Sequence, residues 1–199
     1  MLACAVALIL LVDISSSVSE KNYELQKRGI AEAFKDPQIQ KTIEAQPGGL
    51  ALSLHEWTDT SNVSIPWVIL KTKKDSEDLS NKILNLQYAI GMTTSMGDAI
   101  IKGIEYFDST PCEPERKVID VSGDGPSNTG VEIEVARKKA IDNLVTINGM
   151  PIITTVEPGL SDYYIDKVIT PDGFVLSAYG YEDFTRAIKR KLIFEIAKN

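Results

Sequence analysis

The N-terminal segment constrains the fold of this chain more than any other stretch. The run MLACAVALILLV carries no charge, stops at Asp13 and is followed by the serine cluster Ser15–Ser17. It is too short to span a bilayer and lacks the basic region of a signal peptide. A strand buried on both faces of a parallel sheet gives such a continuous apolar run. We therefore predict a buried parallel strand over Ala5–Val12.

The rest of the chain alternates strand-like and helix-like segments. Further strands are predicted at Leu50–Trp57, Val63–Leu70, Lys117–Ser122, Val145–Ile153 and Gly173–Ser177. Helices are predicted at Tyr23–Phe34 with Ser19 as N-cap, Asp75–Leu86, Gly97–Phe107, Val131–Asn143, Ser161–Val168 and Tyr181–Ala197. This alternation predicts a single α/β domain over residues 1–199, with helices on both faces of a mostly parallel sheet.

The third strand differs from the others. Only the polar segment DTSN separates Trp57 from it, and such a short connection makes an antiparallel hairpin rather than a parallel crossover. Pro66 lies within this strand, and proline is largely confined to edge strands. We therefore predict an antiparallel strand at the edge of the sheet.

Charge and composition exclude several functions. The chain has 28 acidic and 21 basic residues, a net charge of −7, and no cluster of Lys or Arg. Binding to a nucleic-acid backbone or to anionic lipid needs concentrated positive charge, so neither is expected. Two cysteines and one histidine are too few soft ligands for a typical zinc site. The loop from Gly91 to Gly97 lacks the Lys-Ser/Thr pair of a phosphate-binding P-loop.

Three polar stretches follow or precede the predicted core elements. They are DISSS at Asp13, GMTTSMGDA before the helix that begins near Gly97, and VIDVSGDGPSN, in which a strand ends at Asp124. In an open α/β sheet, such segments meet at the carboxyl ends of the strands. Their carboxylates and hydroxyls are oxygen ligands of the kind that hard divalent cations prefer. The sequence therefore predicts a site for one Mg²⁺, Mn²⁺ or Ca²⁺ ion.

The stretch DISSS matches the D-x-S-x-S motif of von Willebrand factor A-type (VWA) domains, which carry a metal-ion-dependent adhesion site (MIDAS). The threonine loop and the strand ending in Asp-Gly follow in the order of that family. DISSSV, VIDVSGDGPSN and INGMPI resemble more closely a bacterial, generally exported VWA-like family of uncharacterised function. The resemblance implies a three-layer αβα Rossmann-like fold with six strands in the order 3-2-1-4-5-6.

The same resemblance implies the roles of individual residues. Ser15, Ser17 and a threonine would bind the metal directly, whereas Asp13 and Asp124 would bind it largely through water. Thr94 is preferred over Thr93 as the threonine ligand, because it precedes Gly97 at the spacing of the family, but both remain open. Four residues could form the rim of the site, one in the threonine loop and three at strand ends: Thr93, Trp57, Thr58 and Asn148.

The family's strand order also bears on the two cysteines. Cys4 precedes the first strand and Cys112 the fourth, and these strands are neighbours in the order 3-2-1-4-5-6. A Cys4–Cys112 disulfide is therefore expected at the end opposite the metal, with two unpaired thiols as the alternative. A disulfide implies an oxidising compartment. We expect an exported protein, periplasmic or extracellular, whose leader is absent from this chain and which has no membrane span.

Other candidate residues have simpler interpretations. Asp120 opens a segment that nearly fits an EF-hand loop, but position twelve is Val131 instead of glutamate and a strand precedes it. Asp120 interrupts an apolar strand, so a buried, hydrogen-bonded carboxylate is expected there, with no partner identifiable. Catalytic use of His55 would require an adjacent nucleophile and an orienting acid that act together with it, and we interpret His55 as a structural histidine instead.

Taken together, these observations predict a metal-dependent protein-binding module that is not an enzyme. The cation would accept an Asp or Glu carboxylate from a partner protein as its last ligand. One alternative is metal-assisted hydrolysis of a phosphate or related ester, with Asp120 or His55 as a helper. The other is a scaffold in which the metal only stiffens the loops.

Overall fold

The computed structural model describes residues 2–89 and 91–197. Its strands are β1 (Leu2–Asp13), β2 (Leu50–Trp57), β3 (Ser61–Leu70), β4 (Cys112–Gly123) and β5 (Val145–Pro151). Its helices are α1 (Glu20–Lys35), α2 (Pro37–Glu44), α3 (Lys73–Leu84), α4 (Met96–Tyr106), α5 (Ile133–Asp142), α6 (Leu160–Tyr163) and α7 (Phe184–Ala197). A π-turn at Tyr164–Val168 follows α6, and a short 3₁₀ turn at Tyr181–Asp183 precedes α7.

The sheet has the order β3-β2-β1-β4-β5, with β1 at its centre. β1 runs parallel to β2 and β4, and β4 runs parallel to β5, whereas β3 is antiparallel to β2. Two predictions are confirmed: β1 is a buried parallel strand at the centre of the sheet, and β3 is an antiparallel strand at its edge. Pro66 lies on that edge strand, where its missing N–H costs no hydrogen bond within the sheet.

The predicted sixth strand is reduced to two isolated parallel bridges beyond β5. Val175 bridges to Gly149, and Ala178 bridges to Ile152. The residues between them do not keep a continuous strand conformation, so the sheet has five strands rather than the six expected from the sequence. The segment nevertheless occupies the position next to β5 that the predicted strand order gives it.

The two faces of the sheet carry separate cores, because side chains alternate along each strand. On β1, Leu8, Leu10 and Val12 belong to the core shared with α1, α2, α3 and α7. Ala7, Ile9 and Leu11 belong to the core shared with α4, α5 and α6. The continuous apolar run of the sequence is therefore explained by helices that cover both faces of its strand.

Helix α2 was not predicted from the sequence. Asp36 caps it through a 2.9 Å hydrogen bond from the Gln38 N–H, and Pro37 occupies its first turn. Aspartate at the N-cap followed by proline is a recognisable helix start. Ser19 caps α1 as predicted, because its side chain accepts a hydrogen bond from the Asn22 N–H.

The end of the sheet opposite the polar loops holds a disulfide. Cys4 of β1 and Cys112 of β4 are joined, with their Cα atoms 5.9 Å apart. It links two strands that are also direct neighbours in the sheet. No helix within the described ranges is long and apolar enough to traverse a bilayer.

Candidate metal centre

Strand register brings the first and third polar stretches together. In the parallel pairing of β1 with β4, Val12 lies opposite Ser122, so Asp13 is adjacent to Gly123 and the turn that carries Asp124. Both strands reach the same edge of the sheet with the same direction. This arrangement follows from the apolar runs of the two strands, which fix their register through burial.

Hydrogen bonds connect the serine loop directly to both aspartates. The Ser15 N–H donates to Asp13 Oδ1 at 2.7 Å. Ser17 Oγ donates to Asp124 Oδ1 at 2.6 Å, and it lies 3.2 Å from Ser15 Oγ. Four of the five predicted ligands therefore form one connected group. The hydroxyl of the intervening Ser16 points away and donates to the Met92 carbonyl at 3.1 Å.

The loop that carries Thr94 is held next to the cleft by main-chain hydrogen bonds to Asn128. The Thr94 N–H donates to Asn128 Oδ1 at 3.0 Å, and its carbonyl accepts from the Asn128 N–H at 2.9 Å. These reciprocal bonds hold the loop against the turn that follows β4. Thr94 lines the same cleft as Ser17 and Asp124.

The neighbouring residue Thr93 faces the protein interior instead. Its carbonyl accepts a 2.9 Å hydrogen bond from the Thr58 hydroxyl. Its own hydroxyl oxygen is buried and has no hydrogen-bond partner among the residues that the structure describes. Thr58 in turn fits against Gly91, where a Cβ would lie 1.7 Å from the Thr58 hydroxyl oxygen, so only glycine allows this approach. Thr58 therefore fixes the loop rather than facing the cleft.

The cleft above these residues has a volume of about 540 Å³. Its lining residues come from the loops after β1, β4 and β5, from the first turn of α1 and from the segments before α4 and α7: Ser16, Ser17, Asn22, Thr94, Asp124, Gly125, Pro126, Asn128, Thr154, Val156, Glu157 and Tyr181. Two of these described lining residues are acidic and none carries a positive charge. The cleft by itself therefore repels a carboxylate.

Asp13 is the most perturbed acid of the site. It is fully buried, and burial raises its pKa to about 7, although hydrogen bonds from Ser15 oppose the shift and the nearby Asp124 adds to it. Its Oδ2 atom accepts no hydrogen bond from any described residue. A buried carboxylate oxygen without a partner is costly unless a cation, a donor or a proton compensates it.

The hydroxyl oxygens of Ser15 and Ser17 are spaced as two neighbouring ligands of one divalent ion would be. Adjacent ligands of an octahedral ion at 2.0–2.1 Å are about 2.9 Å apart, and at the longer calcium distances they are about 3.4 Å apart. The 3.2 Å separation of the Ser15 and Ser17 hydroxyls lies in this range. The described ranges hold no group of three or more His, Cys, Asp or Glu side chains that could bind a metal. A cation here would depend on the hydroxyls as well as on Asp13 and Asp124.

Two residues that the sequence suggested for the rim lie elsewhere. Trp57 is fully buried beneath the cleft, where its ring approaches Gly123. Asn148 is buried in the core on the α7 side of the sheet, where its side chain binds Glu195 at 2.9 Å. Trp57 is the last residue of β2 and points into the core, whereas Asn148 lies in the middle of β5, which continues to Pro151.

Two tyrosines near the acids were not anticipated from the sequence. The Tyr181 hydroxyl donates to Asp124 Oδ2 at 2.8 Å. Tyr164 is fully buried, and its hydroxyl has no hydrogen-bond partner in the described part of the chain. Burial, together with the nearby acids, raises the pKa of each phenol above its usual value, so both remain protonated donors. No motif marks them, since both come from the irregular segment after β5.

Asp120 has a partner that the sequence could not identify. Lys191 of α7 places its Nζ 2.7 Å from Asp120 Oδ1 and 2.5 Å from Glu195 Oε1, and all three side chains are buried. Lys191 and Asp120 form a buried ion pair. Burial, with a contribution from Asp120, raises the pKa of Glu195 to about 7. This charge cluster lies between the sheet and α7 and does not line the cleft.

His55 also lies away from the cleft. Its Nε2 is 3.0 Å from the Ser53 hydroxyl, and its ring packs edge-on against Tyr106 with the ring centres 4.8 Å apart. Burial lowers the pKa of His55 to about 4, so the ring is neutral at physiological pH. These contacts are those of a core histidine.

A family model described as "Protein of unknown function (DUF1194)" matches residues 3–199, and the chain therefore belongs to this family. No curated protein matches the sequence. The fold is confirmed by solved structures of VWA type, all of which are distant in sequence.

The proximal thread matrix protein 1 (PTMP1) of the mussel byssus is 19% identical, with a TM-score of 0.75 over 98% of this chain and 49% of that chain. A second structure of it, 18% identical with a TM-score of 0.72 and the same coverage, has a zinc-occupied MIDAS motif. The conserved hypothetical protein BatB from Bacteroides thetaiotaomicron is 16% identical, with a TM-score of 0.68 over 98% of this chain and all of that chain.

A von Willebrand factor type A protein from Catenulispora acidiphila is 16% identical, with a TM-score of 0.65 over 98% of this chain and 43% of that chain. This chain thus spans about half the length of PTMP1 and less than half of the Catenulispora protein. It spans the whole of the BatB structure.

Proposed function

We propose that this member of the DUF1194 family is a metal-dependent protein-binding module, with one divalent cation held by Asp13, Ser15, Ser17, Thr94 and Asp124. The observation that carries the proposal is the hydrogen-bonded group of Ser15, Ser17 and Asp124 beside the unpartnered Asp13 Oδ2. These oxygens suit Mg²⁺ or Mn²⁺, and Ca²⁺ at longer distances. The zinc-occupied MIDAS motif of mussel PTMP1 supports a divalent ion in this fold.

The charge of the cleft indicates what the ion would do. The acidic residues of the described cleft lining have no positive neighbour there, so a partner's carboxylate has no favourable site without a cation. A bound ion supplies that positive charge, and the hydroxyl ligands do not neutralise it. The partner that this chemistry selects presents an Asp or Glu side chain.

An enzymatic alternative has weaker support. The hydrolase interpretation would use Asp120 or His55 as a helper, but Asp120 is paired with Lys191 and His55 is bound to Ser53.

The disulfide between Cys4 and Cys112 supports a location outside the reducing cytoplasm. We therefore place the proposed binding role in an exported protein.

Calorimetric titration of Mg²⁺ and Mn²⁺ into the metal-free chain tests the metal site. We expect Ser17→Ala to weaken binding at least tenfold, since even the loss of an outer-shell partner costs about 10–100-fold. Ser16→Ala is the matched control, because the Ser16 hydroxyl is directed at the Met92 carbonyl. Equal affinities of wild type and Ser17→Ala would contradict the assignment.

A separate pull-down experiment tests the partner. Proteins of the cell envelope are passed over the immobilised chain, and the proteins that it retains are identified. We expect retention in Mg²⁺ that is lost in excess chelator and lost in the Ser17→Ala variant. A protein retained equally well in chelator does not use the ion, and such a result would count against carboxylate capture.

A further inference from the structure

We propose that Tyr164 and Tyr181 are positioning residues that orient the two carboxylates of the metal site without binding the ion themselves. The inference rests on the proposed metal site and adds to it an outer layer of hydrogen bonds. Tyr181 holds Asp124 directly, and Tyr164 holds Asp13 through one water molecule. Each oxygen of the two acids has two lone pairs, so an oxygen that accepts from a phenol or from that water can also face the ion or its bound water.

The contact of Tyr181 with Asp124 is explicit in the structure. The phenol donates to Oδ2 at 2.8 Å while the Ser17 hydroxyl donates to Oδ1 at 2.6 Å. With a donor on each oxygen, rotation of the carboxylate about its last bond is restrained. Ser17 is itself a proposed ligand, and its hydroxyl can bind the ion through a lone pair while its O–H still donates to Asp124, so Ser17 and Tyr181 together keep Asp124 in place.

The pairing of Tyr164 with Asp13 follows from two orphaned atoms that converge on one point. Neither the Tyr164 hydroxyl nor Asp13 Oδ2 has a hydrogen-bond partner in the described ranges, and both residues are fully buried. A Cβ placed on Gly123 would lie 2.8 Å from Asp13 Oδ2 and 3.1 Å from the Tyr164 hydroxyl. Both atoms therefore border the small space that the missing side chain of Gly123 leaves.

Trp57 contributes a third polar atom near the same space. Its Nε1 is buried without a partner among the described residues, and its Cζ2 would lie 3.2 Å from the same Cβ position. A buried water molecule is stable where two to four polar groups surround it. Two donors and one carboxylate oxygen meet that requirement, so a water molecule linking them to Asp13 is consistent with the proposal.

Both phenols come from the irregular segment between β5 and α7. Tyr164 begins the π-turn after α6, and Tyr181 begins the 3₁₀ turn that leads into α7. None of the five proposed ligands belongs to this segment. The proposal thus gives it a role in the site: it sets the orientation of the acids that end β1 and follow β4.

The test is a titration of Mg²⁺ and of Mn²⁺ into the metal-free full chain and into Tyr164→Phe, Tyr181→Phe and the double variant. Phenylalanine keeps the ring and removes only the hydroxyl. We expect each single variant to bind the ion about tenfold more weakly, because outer-shell partners typically contribute 10–100-fold to affinity. Tyr179→Phe is the matched control, since Tyr179 is 76% exposed, and its affinity should equal that of wild type.

Thermal unfolding in excess chelator provides a second readout. If the Tyr164 hydroxyl has no role, its removal eliminates a buried unpaired group, so the metal-free protein becomes as stable as wild type or more stable and ion affinity does not change. The proposal expects a weaker ion affinity in both single variants instead. If one variant does not fold, the other still tests the proposal, because each phenol serves a different carboxylate.

Different outcomes test the metal site and the positioning role of the two tyrosines separately. Absence of ion binding by wild type would overturn the proposed metal site and this inference with it. Binding by wild type that is unchanged in Tyr164→Phe and Tyr181→Phe would overturn only the positioning role. A loss of affinity that also occurs in Tyr179→Phe would likewise overturn it, because the effect would then not depend on the buried hydroxyls.

Discussion

Asp120 and Asp124 belong to the same strand and its exit turn, yet the protein compensates their charges in different ways. Asp120 is buried against Lys191, which also contacts Glu195, so a cation is built into the core. Asp124 receives only neutral hydroxyls, from Ser17 and Tyr181. Where burial is permanent, the chain supplies its own counter-charge. Where a cleft is open, it supplies donors, and in the proposed function an external ion provides the positive charge.

The largest effect is expected when the buried ammonium group of Lys191 is removed. Lys191→Met leaves Asp120 and Glu195 buried without their counter-charge, and breaking a buried pair in this way costs about 3–5 kcal/mol of unfolding free energy. The loss should be the same with and without Mg²⁺, as measured by denaturant unfolding at neutral pH. Lys189→Met is the control, since Lys189 lies 3.5 Å from Asp36 in a partly exposed pair worth about 0–1 kcal/mol. Equal losses in both variants would remove the distinction between the two acidic groups.

The next effect tests whether Thr94 or Thr93 is the threonine that binds the proposed ion. Thr94→Ala should weaken Mg²⁺ binding at least tenfold, or about 1.4 kcal/mol, while the metal-free protein keeps its stability because the main chain of Thr94 makes the structural bonds. Thr93→Ala should leave ion affinity unchanged, since its hydroxyl lies in the interior. Titration calorimetry with parallel unfolding in chelator measures both quantities. The opposite pattern would assign the ligand to Thr93.

A further effect is a pH dependence of the internal cluster. The charged and polar side chains near Glu195 are Asp120, Lys191, Asn148 and Arg116, and burial raises the pKa of Glu195 to about 7. Between about pH 4.5 and 7 the folded protein therefore binds a proton that the unfolded chain has released. Stability from this group falls as pH rises through that window, by up to about 1.4 kcal/mol per pH unit.

Glu195→Gln should remove this contribution, because the amide does not titrate. Unfolding free energies of wild type and variant, compared at several pH values across the window, measure the difference. A difference that stays constant with pH would show that Glu195 does not change its protonation there.

The sequence predicted the parts of the molecule that depend on local pattern. Burial on both faces makes β1 a continuous apolar run, and the short connection with Pro66 marks the antiparallel edge. The polar stretch that begins at Asp13 and the turn at Asp124 could be brought together because parallel strands end at one edge of the sheet. Helix α2 could also have been found, because Asp36 and Pro37 form a recognisable start.

The parts that depend on distant contacts could not be predicted in the same way. Lys191 lies in a helix whose basic residues look like a solvated face, and only the packing of α7 on the sheet shows that it meets Asp120. Tyr164 and Tyr181 fall within the helices predicted at Ser161–Val168 and Tyr181–Ala197, but helical periodicity does not show which side chains reach the acids. Their approach to the acids depends on how the segment after β5 folds over the strand ends, and no spacing in the sequence encodes it.

The Cys4–Cys112 disulfide has a mechanical consequence for a module of this kind. It fastens β1 to β4 at one end of the sheet, while the serine loop and Asp124 follow the same two strands at the other end. A pull applied through an ion shared by both loops would be carried along two strands joined covalently at their base. Sliding of one strand past the other would then require rupture of that bond, in addition to loss of the hydrogen bonds between them.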